Sequence, residues 1–377
     1  MRRSLALLFS VLPLLFAQPG LAQIPAPTVA AKAWLLLDVS SGQLIASQAA
    51  NDRFEPASLT KLMTAYIAFA AIKNKQLTLT QAIPVSEKAW RAQGSRMFID
   101  PKNPVTVEEL LRGMIVQSGN DACIALSEAI AGSEESFAHL MNKEAARLGM
   151  KNTHFTNSNG LPDPQHYSSA QDLALLASAL IRDFPEFYAQ LYSMKEYRYN
   201  NITQQNRNRL LWLDPNVDGM KTGFTDNAGY CLVASAKRGP RRLLSVVLGT
   251  ASDSMRAQES QKLLNYGFQF YDNVRLYEKN QTVSSPEVWK GSENRLKAGF
   301  QSDMFVTLPR GQSDKVRAEF VSQQPLVAPI SAGQRVGTLR VMVEGGLLAE
   351  YPVVALENIG LAGYFGRIWD TFRLWFK

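Results

Sequence analysis

Residues 56–64 read PASLTKLMT, and the serine at 58 followed by the lysine at 61 is the pair on which the reading of the chain turns. A helix beginning near Ser58 would set both side chains one turn apart on one face, within reach of each other. A serine hydroxyl is a weak nucleophile until a base takes its proton. Lysine serves as that base only where burial and neighbouring cations favour its neutral form. The same helix start would offer the Ser58 N–H to a developing oxyanion. About one S-x-x-K is expected by composition in a chain of this length, so the pair taken alone reads as the start of an ordinary helix rather than as a nucleophile beside its base.

Two further triplets bear on that choice. Ser118, Gly119 and Asn120, in QSGNDACIAL, stand at the head of an apolar periodic run, where helix capping is the ordinary reading. Lys221, Thr222 and Gly223, in DGMKTGFTDNAGYC, open a strand-rich stretch, where a surface turn is the ordinary reading. Each tripeptide arises by chance about once in ten such chains. Both in this order after a single S-x-x-K arise about once in a hundred.

The remainder of the sequence bounds the class. A chain of 377 residues with 46% hydrophobic content can build two cored domains. At the N-terminus, MRRSLALLFSVLPLLFAQPGLAQ has two arginines, an apolar run from Leu5 to Phe16 and small residues at Gly20 and Ala22. That is the pattern of an export signal over 1–22, cut after Ala22, with an apolar run too short to span a bilayer. Loss of Arg2 and Arg3 takes the formal charge from +7 to about +5. So mild an excess, with no polybasic block, argues against nucleic acid and for an anionic membrane surface as partner. Cys123 and Cys231 both lie in apolar runs and read as buried small hydrophobes rather than a disulfide. His139, His154 and His166 match no zinc spacing, and no Walker-type phosphate loop is present, so neither metal nor cofactor is expected.

Along the chain, AWLLLDV and LIAS around SSGQ predict a β-hairpin. Helices are expected over 58–73, in TVEELLRGMIVQ, in DACIALSEAIAG and in SSAQDLALLASALIRD, the last capped by Ser169. VDGMKTGF, AGYCLVASAK and RRLLSVVLGT read as strands, and QESQKLLNYGFQFY as a closing helix. This makes one layered domain over 30–271. From 272 to 355 short β-rich runs with Gly, Pro and Ser breaks predict a small all-β domain without an acid–base cluster. The tail, 356–377, is expected to form an amphipathic helix with Leu361, Tyr364, Phe365, Ile368, Trp369, Phe372, Trp375 and Phe376 on one face. Arg367, Asp370, Arg373 and Lys377 fall on the other, and Leu374 breaks the pattern. Such a helix suits the surface of a membrane better than a crossing.

Together S-x-x-K, S-x-N and K-T-G resemble the motif set of the penicillin-recognising serine acyltransferases. PASLTKLMT, SGNDAC, SSAQDLA, ITQQNRNRLLW and NVDGMKTG resemble, more closely, the D-alanyl-D-alanine carboxypeptidases of the penicillin-binding protein 5/6 type. The resemblance implies an α+β fold: a β-lactamase-like transpeptidase domain with an antiparallel sheet flanked by helices, then a small all-β domain and a C-terminal amphipathic helix. It implies that Ser58 attacks the carbonyl between the terminal D-alanines of a peptidoglycan stem pentapeptide, that Lys61 takes its proton, and that β-lactam antibiotics acylate the same serine. Ser118 would pass a proton to the leaving amine, Asn120 would hold the peptide amide, and Lys221 would keep Lys61 neutral. Substrate binding falls to Thr222, Gly223, Phe224, Arg256 and Arg207, with the N–H groups of Ser58 and Phe224 as oxyanion donors. The implied place is the periplasmic face of the inner membrane.

Two departures stand out. Phe224 follows K-T-G where relatives often carry His, which leaves the backbone N–H in place but bears on deacylation. Asn159–Leu161 reads NGL where relatives often read HGL. A class A β-lactamase would need an E-x-x-L-N segment, which is missing, and a Ser-His-Asp hydrolase a G-x-S-x-G elbow, also missing. A penicillin sensor would bring a transmembrane signalling segment. An endopeptidase that cuts cross-links is the nearest enzymatic alternative.

Overall fold

Every residue of strand β1, Ala33–Asp38, is buried, because the strand lies inside a sheet covered on both faces. The computed structural model describes residues 25–375; the leader expected over 1–22, and Phe376 and Lys377, lie outside the described residues. The other strands of this sheet are β2 (Gln43–Gln48), β3 (Val217–Thr225), β4 (Gly229–Arg238) and β5 (Arg241–Thr250). Their order is β2-β1-β5-β4-β3, with every pairing antiparallel. The edge strand β3 therefore carries Lys221, Thr222 and Gly223 along an open side.

The period of two in β1 sorts its leucines. Leu35 and Leu37 join the large cluster built with helices α1 (Lys61–Lys73), α2 (Val107–Val116), α3 (Asn120–Ala131), α4 (Glu134–Arg147) and α5 (Ala170–Asp183). Leu36 turns to the opposite face, against α6 (Asp253–Phe270), where a Cβ on Gly267 would stand 2.9 Å from its Cδ2. Helix α2 opens with a capping box between Thr106 and Glu109, and Ser169 caps α5 by accepting the Asp172 N–H at 3.1 Å. Asp172's own carboxylate is used elsewhere, on Asn152 and Thr153. Helix α4 was not singled out from the sequence.

The helix expected from Ser58 starts later. Ala57–Thr60 is a 3-10 turn, and α-helical geometry begins at Lys61. Ala57 holds a φ of +49°, so the chain enters the turn through a conformation that resists extension of the α-helix backwards. The tighter turn helps the pair: at three residues per turn, side chains at i and i+3 eclipse.

Contacts divide the chain into two units. One is Pro25–Arg275 with Phe305–Arg310; the other is Leu276–Met304 with residues 311–375. Residues 305–310 go with the first because the Thr307 N–H donates to Gln43 Oε1 at 2.5 Å and its hydroxyl meets Ser41 Oγ at 2.7 Å. The second unit is built on β6 (Thr282–Ser284), β7 (Ala298–Gly299), β8 (Val316–Ser322), β9 (Arg335–Val343) and β10 (Gly346–Ala355), in the order β6-β7-β10-β9-β8. Leu339, Val341, Val343 and Val353 fill its core.

Its last helix, α7, is Tyr364–Leu374, shorter than the tail expected. Leu361 precedes it in extended backbone bridged to Gly291, so it is not on the helix face. Asp370 Oδ2 accepts the Lys290 N–H at 2.6 Å and the Arg373 guanidinium lies 5.2 Å from the Trp289 ring centre. The polar stripe thus touches the unit's own β structure, while Tyr364, Phe365, Ile368, Trp369, Phe372 and Trp375 are exposed. No described helix is long and apolar enough to cross a membrane.

Candidate active site

The S-x-x-K turn brings Lys61 Nζ to 3.0 Å from Ser58 Oγ. The same nitrogen lies 2.7 Å from Asn120 Oδ1 and 2.5 Å from the Asn159 carbonyl oxygen. Both oxygens only accept. A neutral amine can therefore give its two protons to them and turn its lone pair on the Ser58 O–H. Lys61 is 1% exposed and, among the described residues, no carboxylate touches it. Burial pushes its pKa below the usual lysine range; the Arg207 guanidinium lowers it further, and Asp121 and Glu134 oppose. The Cys123 thiol beside it is pushed up to about 12 by burial, so it stays uncharged at neutral pH.

Lys221, 3% exposed, is depressed as well, to well below the ordinary value, first by burial and then by Lys61, Arg207 and Arg256. The resemblance made Lys221 the cation acting on Lys61. In the structure Arg207 is the cation that lowers the pKa of both amines, and Lys61 lowers that of Lys221. Arg207 is exposed and makes no hydrogen bond or ion pair with the described residues.

A groove of about 930 Å³ opens over the two lysines, lined among others by Ser58, Ser118, Asn120, Thr222, Arg207 and Arg256. Gly223 and Phe224 line it too, so all the sequence-chosen residues meet here, with Lys61 and Lys221 buried beneath. Ser118 has a φ of +67°, and its buried hydroxyl has no hydrogen-bond partner among the described residues. Asn120 is the first residue of α3, yet its side chain caps nothing: the amide spans Lys61 and the Gln93 carbonyl, 2.7 Å from each. Ser58 lies in the first turn of its 3-10 segment, where N–H groups have no intrahelical acceptor. Strand β3 passes so close to that turn that a Cβ on Gly223 would sit 3.0 Å from Pro56 O. Arg256, 5% exposed, donates through Nη1 to Gly223 O at 3.1 Å and pairs through Nη2 with Asp253.

Sequence reasoning missed the supports. Asp121, 1% exposed, accepts the N–H groups of Met97, Phe98 and Ile99 and so fixes the loop carrying Gly94 and Ser95 to the groove wall. Glu134 accepts the Ser158 N–H and hydroxyl, and Thr64 donates to Ser158 O, which together hold the turn that aims Asn159 O at Lys61. Buried His166 accepts the Thr156 N–H at Nδ1 and donates from Nε2 to Thr60 Oγ1, with a pKa lowered to about 4 by desolvation. No spacing rule reveals such contacts, which join residues distant in sequence. Cys123 and Cys231 are free and buried, as expected, and the described residues contain no cluster able to hold a metal.

Gly160 is where this turn meets the nucleophile. Its φ is +85°, and a Cβ there would lie 1.9 Å from Ala57 O. Gly160→Ala is expected to cost roughly 2–5 kcal/mol, from overpacking and a left-handed backbone together, read as a fall in Tm or in the denaturant midpoint.

Comparison with known proteins agrees with this geometry. The model of the D-alanyl-D-alanine carboxypeptidase family matches residues 21–252, and that of the penicillin-binding protein 5 C-terminal domain matches 271–360. D-alanyl-D-alanine carboxypeptidase DacC of Escherichia coli is 44% identical over 98% of this chain and 95% of its own. The crystal structure of penicillin-binding protein 5 from Haemophilus influenzae superposes with a TM-score of 0.84 at 39% identity, covering 89% of this chain and 99% of its own. Penicillin-binding protein D2 of Listeria monocytogenes, solved in an ampicillin-bound form, gives 0.60 at 31% identity over 65% of this chain and all of its own. The chain belongs to the D-alanyl-D-alanine carboxypeptidase family of serine peptidases.

Proposed function

We propose that Ser58 is the nucleophile with which this chain removes the terminal D-alanine from peptidoglycan stem pentapeptides. The observation that carries the reading is the 3.0 Å approach of a buried, carboxylate-free Lys61 amine to the Ser58 hydroxyl. Ser58 Oγ attacks the penultimate D-alanine carbonyl as its proton passes to Lys61 Nζ. The N–H groups of Ser58 and Phe224 receive the oxyanion. The C–N bond then breaks, the amine leaves with a proton relayed through Ser118, and D-alanine departs. Water attacks the resulting ester, gives its proton to Lys61, and the tetrapeptide leaves as Ser58 regains its hydrogen. Thr222 and Arg256 take the C-terminal carboxylate. A β-lactam enters the same first step, but its amine stays tethered after ring opening. The ampicillin-bound Listeria relative supports this.

The place of action is the periplasmic face of the inner membrane. The leader pattern over 1–22 supports export, and the outward aromatic face of α7 supports a peripheral hold on lipid.

Four outcomes are expected. Release of D-alanine from a diacyl-D-Ala-D-Ala peptide should be seen with the native chain and vanish in Ser58→Ala; release that persists removes Ser58 from the chemistry. Acylation should climb with pH as Lys61 loses its proton and level off above its pKa, which lies below 10.5. Arg207→Gln, by removing a cation that lowers that pKa, should move the rising limb to higher pH and slow the neutral-pH rate; a shift to lower pH contradicts this. Truncation before Gly363 should abolish co-sedimentation with anionic vesicles, whereas retained binding excludes α7 as the contact.

A further inference from the structure

We infer that Asp253 is a specificity-determining residue of the groove: an internal carboxylate that occupies Arg256 before substrate arrives, and so sets how tightly peptides ending in a free carboxylate are held. The inference rests on the proposed reading that Arg256 meets the substrate's C-terminal carboxylate.

Asp253 lines the groove as the first residue of α6, directly after its cap Ser252. One of its oxygens pairs with Arg256 Nη2 and the other lies 3.7 Å from Arg209 Nη1. The exposures differ: the Arg256 side chain is 6% exposed and that of Asp253 41%. Without Asp253 the buried guanidinium would keep, among its described contacts, only the Gly223 carbonyl and the face of Tyr230, 5.5 Å from that ring's centre. A charge so placed is costly without a counter-ion. Burial weakens Arg256's hold on its proton and Asp253 works against that loss.

The stabilisation has a second effect. A substrate carboxylate arriving at Arg256 finds one negative charge already paired with that guanidinium, and like charges at one site disfavour each other. Exposed Arg207 and Arg209 on the same rim offset part of this repulsion. A peptide ending in a neutral amide would not feel it. Asp253 should thus lower affinity for the acid relative to the amide. The opposing possibility is a purely orienting role, in which Asp253 holds Arg256 in position and its loss weakens binding of every substrate alike.

KM for a diacyl-D-Ala-D-Ala peptide and for its C-terminal primary amide, followed by release of D-alanine or D-alaninamide, separates the two. In Asp253→Asn, KM for the acid should fall about three- to tenfold, with the difference shrinking in 1 M salt, while KM for the amide stays within twofold. Asp253→Glu, which keeps the charge, should stay near the native values. Asp253→Ser repeats the charge removal if the asparagine variant does not fold. An unchanged or raised KM for the acid, or equal shifts for both substrates, overturns the inference while leaving the function intact. No release by the native chain overturns both.

Discussion

An amine enclosed by protein and touching no carboxylate is the constraint around which this catalytic unit is arranged. Lys61 meets one hydroxyl, one amide oxygen and one backbone carbonyl, and each comes from a different piece of chain. A carboxylate in any of those places would stabilise the ammonium and raise the pKa. Neutral acceptors leave the proton weakly held. The price is paid by the rest of the unit, which must fix three separate segments to within hydrogen-bond distance of one nitrogen.

That requirement explains the supports. Asp121 ties the 97–99 loop to the start of α3, so the Gln93 carbonyl can orient the Asn120 amide. Glu134 and Thr64 hold the Ser158–Asn159 turn from two sides. Gly160 lets that turn lie against Ala57 with no room for a side chain. The edge position of β3 then gives the groove its second wall without closing it, because no further described strand covers Thr222 and Gly223.

Much of this was legible in the sequence, for particular reasons. The hairpin Ala33–Gln48 and strands β3 to β5 show in runs of β-branched and apolar residues, α2 shows in its apolar period, and α5 announces its start with a cap. S-x-x-K, S-x-N and K-T-G mark the groove because each places side chains at fixed short spacing. The contribution of Asn159 was hidden, since its backbone oxygen does the touching. That is also why Asn in place of the relatives' His leaves the Lys61 contact open to either residue. Glu134 and Asp121 act across 24 and 22 to 24 residues of sequence on loops without periodicity, and no local pattern encodes such partners. Helix α1 cannot extend back through Ala57, whose positive φ is not helical, and Ala57–Thr60 ahead of it is a 3-10 turn.

The rotation of α7 about its own axis has a consequence for handling the protein. With Asp370 and Arg373 engaged on Lys290 and Trp289, the helix cannot roll its rings inward without giving up those contacts. Six large apolar side chains, Phe365 and Trp375 each 85% bare, therefore form a ledge of a kind that water-borne monomers seldom display. Kept from lipid or detergent, concentrated full-length material will satisfy that ledge against other copies of itself, and will behave as an amphiphile rather than as a simple globular solute.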